Sequence, residues 1–427
     1  MKQYMLRLFT LSTFLLGILV MGCGEMDFPD PNSPDLENAP VNTLVTGALA
    51  GMRVDYAIYL RTVSIVGREA YYFEPADPRY TGEIMRANPD PGGFLLNRPW
   101  TARYQVVANC RFILEKAAQA SGEAQAGLEG FAKTIMAYQL LLNLNYLDEN
   151  GIKLDFSGDI NAPFATKSEA FAYIENLLDE AYNALGNAGS SFSFTLSSGF
   201  SGFDTPATFR QFNRALMARV KLYQGKYQEA LNALQNSFVD ATAPMDKGVY
   251  LVYGTGLGDQ VNEIYEDPQA DFVKLMAHSS FESDAEAGDQ RFSRKVYKRS
   301  VVTQFDNLSS DLAVTITQSD VDPLPIIRNE ELLLIRAEAN IQLGNLSAAE
   351  TDINAVRTAA GLPPVTLSDQ TTAFQQLMYE RRYSLFLEGH RWVDMRRWGK
   401  LDELPLDRAG DAILQYMPRP ETEVPGK

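Results

Sequence analysis

Two stretches of this chain, 209–238 and 330–356, repeat one helix-turn-helix pattern, and that repetition narrows the fold more than any other feature. With Gly225 laid over Gly344, Ala218 falls on Ala337, Leu222 on Ile341, Tyr227 on Leu346 and Ala230 on Ala349. A small residue where two helices touch, a glycine turn, a bulky residue opening the second helix and then alanine again is the grammar of tetratricopeptide helix pairs. Thr166-x-x-Glu169 and Ser347-x-x-Glu350 read as capping boxes, while Gly186, and Gly361 followed by Pro363 and Pro364, read as stops. Helical pairs are therefore predicted at about 128–186, 206–238, 330–361 and 369–399. The connector 148–165 is too long for an ordinary repeat, so the pairs form a scaffold holding loops rather than an unbroken array. Ahead of them, Leu44, Leu49, Met52, Tyr56, Tyr59 and Val63 predict one helix over 41–66.

A chain of 427 residues with 45% hydrophobic content can bury a sizeable core. Its formal net charge of −16 repels phosphate backbones and anionic lipid, which excludes a nucleic-acid binder. The opening has the parts of an export signal: Lys2 and Arg7, then an apolar run from Leu8 to Met21 that is too short to span a bilayer, where roughly 20 residues are needed. Leu19-Val-Met-Gly-Cys23 resembles a bacterial lipobox, so residues 1–22 are expected to be a lipoprotein signal, Cys23 the acylated residue, and 23–40 a Pro-, Asp- and Asn-rich tether. Residues 41–427 are then a single domain. With Cys23 acylated, Cys110 has no partner, and its apolar helical neighbours mark it as a small buried hydrophobe.

Signatures of bond-breaking chemistry fail one by one. Gly254-Thr-Gly256-Leu-Gly258 has neither the spacing nor the following lysine of a phosphate loop. His278 and His390, the only histidines, stand far apart, and Asp148-Glu-Asn150-Gly151 lacks the alternating ligands of a calcium loop, so no metal or cofactor is assigned, while a calcium site built from the abundant carboxylates stays open. No Gly-x-Ser-x-Gly elbow occurs, and no catalytic residue is assigned.

The stretch 380–398 carries apolar residues around a whole helical circumference together with many charges, and buried charges persist only when paired. Its spacing offers Glu388 to Arg391, Asp394 to Arg397 and His390 to Asp394, with Gly389 as a kink and Gly399 as the stop. The run Glu380-Arg-Arg-x-x-x-Phe386-x-Glu388-Gly-His-Arg-Trp392-x-Asp394-x-Arg-Arg-Trp398-Gly resembles the C-terminal signature of the SusD/RagB family of outer-membrane nutrient-binding lipoproteins. Trp100-x-x-x-Tyr104-x-x-x-Ala108-Asn109, Asp289-Gln-Arg291 and the tail from Tyr416 to Glu421 resemble that family as well. The resemblance implies a mainly α, SusD-like fold: tetratricopeptide-type pairs with an irregular, loop-rich ligand-binding half packed against them. It also implies cell-surface display on the outer membrane and capture of a nutrient, an oligosaccharide or a peptide. Delivery would be to a SusC-like TonB-dependent transporter, without catalysis. Trp100 is architectural in that comparison.

The unpatterned blocks, about 67–99 and 239–325, are where a ligand is expected. They are rich in aromatic residues, and a ring offers a large contact face to a pyranose at low entropy cost. Tyr71, Tyr72, Phe73 and Tyr80 are the first candidates, followed by Tyr253 and Tyr265. Strand signals are sparse, 312–317 being the best. Two rival classes remain at this point: a helical-repeat scaffold that binds only proteins, and a surface glycosidase, whose pair of carboxylates no sequence excludes.

Overall fold

The chain opens with two helices, α1 (Val41–Gly51) and α2 (Tyr56–Val66), where the apolar spacing predicted one. The computed structural model, which describes residues 39–424, shows why they separate. Asp55 turns left-handed (φ 55°), and the buried Arg103 takes the carbonyls freed at the break, those of Met52 (2.7 Å) and Val54. A buried carbonyl needs a donor, and this arginine supplies two. The signal segment 1–22, Cys23 and almost all of the tether 23–40 lie outside the described residues.

A short strand β1 (Ala70–Tyr72) and a π-helical turn (Tyr80–Ile84) follow, then α3 (Phe94–Gln119), which starts before Trp100 and contains Pro99 in its second turn. Next come α4 (Gly122–Leu147), the two-residue strands β2 (Ile152–Lys153) and β3 (Phe164–Ala165), α5 (Lys167–Leu185), α6 (Pro206–Tyr223) and α7 (Tyr227–Leu234). The block that looked irregular holds β4 (Gly248–Leu251), β5 (Leu275–Ala277), α8 (Ser280–Ser283), α9 (Gln290–Lys295), β6 (Val296–Phe305), β7 (Leu308–Val314) and β8 (Leu324–Arg328). Four helices complete the order: α10 (Asn329–Gln342), α11 (Leu346–Ala359), α12 (Gln370–Ser384) and α13 (Arg391–Arg397).

The two in-register pairs, α6/α7 and α10/α11, turn on Gly225 (φ 70°) and Gly344 (φ 80°), each two residues past its helix end. Ala218, Ala230, Ala337 and Ala349 are fully buried where the helices meet. Around the second pair Leu333, Leu334, Ile341, Ile353 and Val356 form a core with Leu377 of α12. Replacing Gly344 with Ala should lower stability by about 1 kcal/mol, the penalty of a left-handed backbone, since nothing lies within 4 Å of the added methyl. Urea unfolding reads this, and an unchanged midpoint would show that the turn does not depend on that conformation.

Capping splits. The Thr166–Glu169 box is present at the start of α5. Its counterpart at Ser347 is absent, because α11 begins at Leu346 and the Glu350 carboxylate accepts instead from the Leu367 backbone N–H (2.8 Å), tying down the next loop.

Gly389 is more than a kink. Between α12 and α13 the chain leaves the helix altogether, with Leu387 (φ 61°) and Gly389 (φ 84°) both left-handed. Helix α2 packs into that gap, and a Cβ on Gly389 would lie 3.3 Å from Leu60. Gly399 (φ 68°) does end α13.

The sheet runs β1-β5-β7-β6, all antiparallel, so strands far apart in sequence share it. A tight hairpin on Asp306 and Asn307, both left-handed, joins β6 to β7, and a second pair sets β4 against β8. The strand expected at 312–317 is β7, which begins four residues earlier and ends at Val314.

Candidate functional site

The charged residues of 380–398 are struts. Glu380, wholly buried, accepts from Arg291 (2.6 Å) and Arg357 (2.8 Å), and Asp289 of the Asp-Gln-Arg step holds Arg291 from the other side (2.7 Å). Asp394 accepts from Arg381 (2.8 Å) and Arg397 (2.9 Å), while Arg397 and the Trp398 indole reach Glu338 (2.6 and 2.9 Å). Burial opposes the Asp394 charge, yet Arg381 and Arg397 hold its carboxyl below the usual range.

The Asp394–Arg397 pairing is therefore the one spacing anticipated. Glu388 bonds Arg328 (2.7 Å) rather than Arg391, because the helix has ended before it. His390 meets the Tyr223 hydroxyl (3.1 Å) and faces Glu331 (3.7 Å) rather than bonding Asp394.

The other histidine sits in a cluster with chemical potential on paper. His278 Nδ1 lies 2.7 Å from Ser280 Oγ, and its Nε2 is 2.9 Å from Asp407. The same Nδ1 accepts the Ser280 backbone N–H (3.0 Å), and Arg382 donates to Ser280 Oγ (2.6 Å). An imidazole capping a short helix and a hydroxyl bonded to a guanidinium hold one another in place, and such a donor drains nucleophilicity from the oxygen. Among the described residues no group of three or more His, Cys, Asp and Glu side chains is placed to hold a metal ion, and no helix is long and apolar enough to cross a membrane. Cys110 is fully buried, and burial pushes its thiol well above the ordinary range.

Four of the six rings singled out from sequence turn out to be core. Tyr71 (3% exposed), Tyr72 (8%), Phe73 (0%) and Tyr80 (3%) offer no free face. Tyr71 and Tyr72 are not in a loop; they are residues of β1, paired with Met276 and Leu275 of β5. Phe73 extends that pairing with its N–H on the Lys274 carbonyl (2.8 Å). Tyr71 stacks on Phe73 (5.4 Å), and Tyr72 meets Tyr80 edge-on (4.8 Å) while the Arg61 guanidinium lies over its ring (4.4 Å). The loop placement expected for Tyr71 and Tyr72 is corrected to strand: absence of period does not mean absence of strand, and a three-residue strand has no period to show.

Tyr71 and Phe73 pack on one face of β1, against His278 and Phe305; Tyr72 and Tyr80 pack together on the other, beside Arg61, and floor a surface where two distant segments meet. Above them runs the loop 253–274, anchored by the buried Asn262, whose side chain donates to the Asp322 carbonyl (2.8 Å). Glu266 accepts the backbone N–H groups of Lys274 (2.7 Å) and Leu275 (3.2 Å), and Arg299 on the strongly bulged β6 donates to the carbonyls of Pro268 and Ala270 (2.8 Å for Ala270). Tyr253 and Tyr265 are half-buried on this loop, and Phe272 is 44% exposed. Ion pairs border it: Arg53 with Asp259, Arg98 with Asp55, Arg79 with Asp77 (2.7 Å) and Lys274 with Glu74. Beside Arg53, a cleft of about 250 Å³ is lined by Leu49, Thr195, Tyr250, Val252 and Asp259.

Phe272 and Tyr297 (42% exposed, on the edge strand β6) are open rings that loop position alone did not single out. The Asp306-Asn307 dipeptide, a hairpin turn signal, would have revealed the β6/β7 ribbon that bears Tyr297 and Arg299.

Helix pairs on one side and a loop-bearing antiparallel sheet on the other define the SusD-like class of folds. A laminarin-binding SusD-like protein superposes with a TM-score of 0.66 over 88% of this chain and 96% of its own, at 20% identity. A SusD superfamily protein from Bacteroides vulgatus does so with 0.65 over 90% and 96%, at 16% identity, and a surface glycan-binding protein from Bacteroides uniformis with 0.63 over 84% and 88%, at 15%. Residues 282–423 match the SusD family model, and the fold is SusD-like over about 90% of the chain. A SusD-like protein of Formosa agariphila is 29% identical over 133 residues, a stretch covering 29% of this chain and 26% of that relative's length.

Proposed function

We propose that the protein is a surface lipoprotein that captures an oligosaccharide and hands it to a SusC-like TonB-dependent transporter, with no bond broken and no cofactor. The observation that carries the reading is the surface at 253–274, where half-buried and exposed rings stand beside fixed donor–acceptor pairs. Rings meet the C–H faces of sugars, and a guanidinium bonded to a carboxylate presents N–H donors and oxygen lone pairs at hydroxyl spacing. Tyr253, Tyr265 and Phe272 are the contact rings, and Tyr72 and Tyr80 the floor beside them, while Tyr71 and Phe73 support β1 from its other face. Two neighbours in fold are described by what they bind, laminarin and surface glycans, which supports carbohydrate over peptide. The anchor at Cys23, the tether that follows it and display on the outer membrane belong to the same proposal.

Affinity isolation of the intact lipoprotein from outer membranes tests the transporter. A large β-barrel partner is expected in the eluate, and its absence would remove that part. For the ligand surface, Tyr265→Ala and Phe272→Ala should each weaken binding of laminari-oligosaccharides roughly 3- to 10-fold, the loss of one ring contact. Unchanged affinity in both variants would move the site elsewhere. Turnover of the oligosaccharide by the purified protein would instead support a glycosidase.

A further inference from the structure

We infer that the surface formed by the 253–274 loop, the end of β1 and the α1–α2 break takes an uncharged oligosaccharide and rejects uronate-bearing or sulfated ones. The inference rests on the carbohydrate-binding reading above and adds the chemical class of the sugar.

It follows from the state of five cations that border the surface: Arg53, Arg61, Arg79, Arg98 and Lys274. Each is held by the protein itself. Arg53 donates to the Val252 carbonyl (2.8 Å) and to Asp259, and Arg61 donates to the Glu263 carbonyl while covering the Tyr72 ring. The other three have the carboxylate partners given above. Recognition of sulfate or carboxylate draws on a cation whose charge is not already neutralised; at Arg53, Arg79, Arg98 and Lys274 a ligand anion would compete with an internal carboxylate of equal charge, and Arg61, which has none, is 8% exposed. Such an exchange leaves one carboxylate unpaired and gains nothing electrostatically.

The surrounding field points the same way. Between 253 and 274 the sequence has five acids and Lys274 as its single base, on a chain of net charge −16. Within a Debye length of about 8 Å an anionic ligand is repelled by that loop, while a neutral sugar is indifferent to it. What the surface does offer, rings and charge-neutral donor–acceptor pairs, is what hydroxyl groups and pyranose faces use.

The test is direct binding by the detergent-solubilised full-length lipoprotein. Laminari-, malto- and xylo-hexaose form one arm; hexagalacturonate, hexameric alginate and sulfated carrageenan hexamers form the other. At least one neutral hexamer should bind, with an affinity that changes less than about 2-fold between 50 and 500 mM NaCl, and the anionic hexamers should bind at least about 10-fold more weakly. An anionic hexamer binding as tightly as any neutral one overturns the inference and leaves the carbohydrate reading standing. Binding of peptides with no binding of any sugar overturns the reading beneath it and the inference together.

A gain-of-function variant gives a second readout. Asp259→Asn releases Arg53 on the rim, and the hexagalacturonate affinity of that variant should rise several-fold over the parent with a strong salt dependence. No rise in a variant whose circular dichroism and melting temperature match the parent would show that Arg53 does not border the sugar, which also overturns the inference.

Discussion

Replacing Asp394 with alanine is expected to destabilise the protein by about 3–5 kcal/mol, among the larger losses any single substitution here would cause. Asp394 is 2% exposed and serves Arg381 through two hydrogen bonds (2.8 and 3.1 Å) and Arg397 through a third (2.9 Å). Without it, the remaining carboxylate within ion-pair distance of Arg381 is Glu338 at 4.0 Å, and the arginine's Nη1 already has no protein partner. The energetic weight lies in that abandoned cation rather than in the lost attraction. Denaturant unfolding reads the loss, and Asp394→Asn should recover a small part, since an amide oxygen still accepts one of the bonds. Oligosaccharide affinity of the folded fraction should stay within about 2-fold of the parent, because the strut stands in the helical half. A variant that kept full stability would mean the network is hydrated and exposed; one that folded normally and lost binding would make the signature part of the ligand site.

The second large effect is in pH dependence. Glu69 is buried, one of its carboxylate oxygens accepts the Leu387 N–H (3.2 Å), and the other lacks a protein partner. Burial, only partly offset by Arg391, pushes its carboxyl up to about 7. Such a group adds stability that is fully present below pH 4.5, where it is protonated in both states, and is lost as pH rises through 7, because the unfolded chain ionises it freely and the folded one does not. By linkage the change amounts to roughly 3 kcal/mol. Glu69→Gln, which cannot ionise and keeps an oxygen for Leu387, should therefore gain on the parent by roughly that amount between pH 4.5 and pH 8.

His390 works in the opposite sense. Burial, against the pull of Glu331, pushes its imidazole down to about 4, so its contribution is present above pH 6.5 and lost as pH falls through 4. Between about pH 4.5 and 6.5 the two slopes oppose each other and flatten the profile. The variant His390→Gln should unmask the Glu69 slope, with stability falling between about pH 4.5 and 6.5, where the parent is nearly flat, and running parallel to the parent above pH 6.5. Urea unfolding at half-unit pH steps measures both variants, and parallel profiles for parent and Glu69→Gln would show that Glu69 is already ionised in the fold.

How far the sequence reached depends on the kind of interaction. The helix pairs were legible because a period of 3.6, a glycine turn and alanines at contact points are local signals, and Gly225 and Gly344 carry the same left-handed turn in both copies. The break at 385–390 was only half legible. Gly389 marks a special backbone position, but Leu387 gives no such sign, and its left-handed turn is held by Glu69, 318 residues away. Tyr71 and Phe73 were misplaced for the same reason: what buries them is pairing with 274–276, and that partnership cannot be seen from 70–73 alone.

The sequence by itself determined the helical scaffold, the need to bury and pair the charges of 380–398, and the resemblance that first identified the fold. All of these depend on residues within one or two turns of each other. Only the tertiary structure decided which charge pairs with which and which rings face solvent. Glu388 chose Arg328, Glu380 chose Arg291 and Arg357, and Phe272 rather than Phe73 stands open to a ligand. A guanidinium, a carboxylate or a ring is indifferent to sequence distance, and its partner is whatever the packing of far elements brings within about 3 Å.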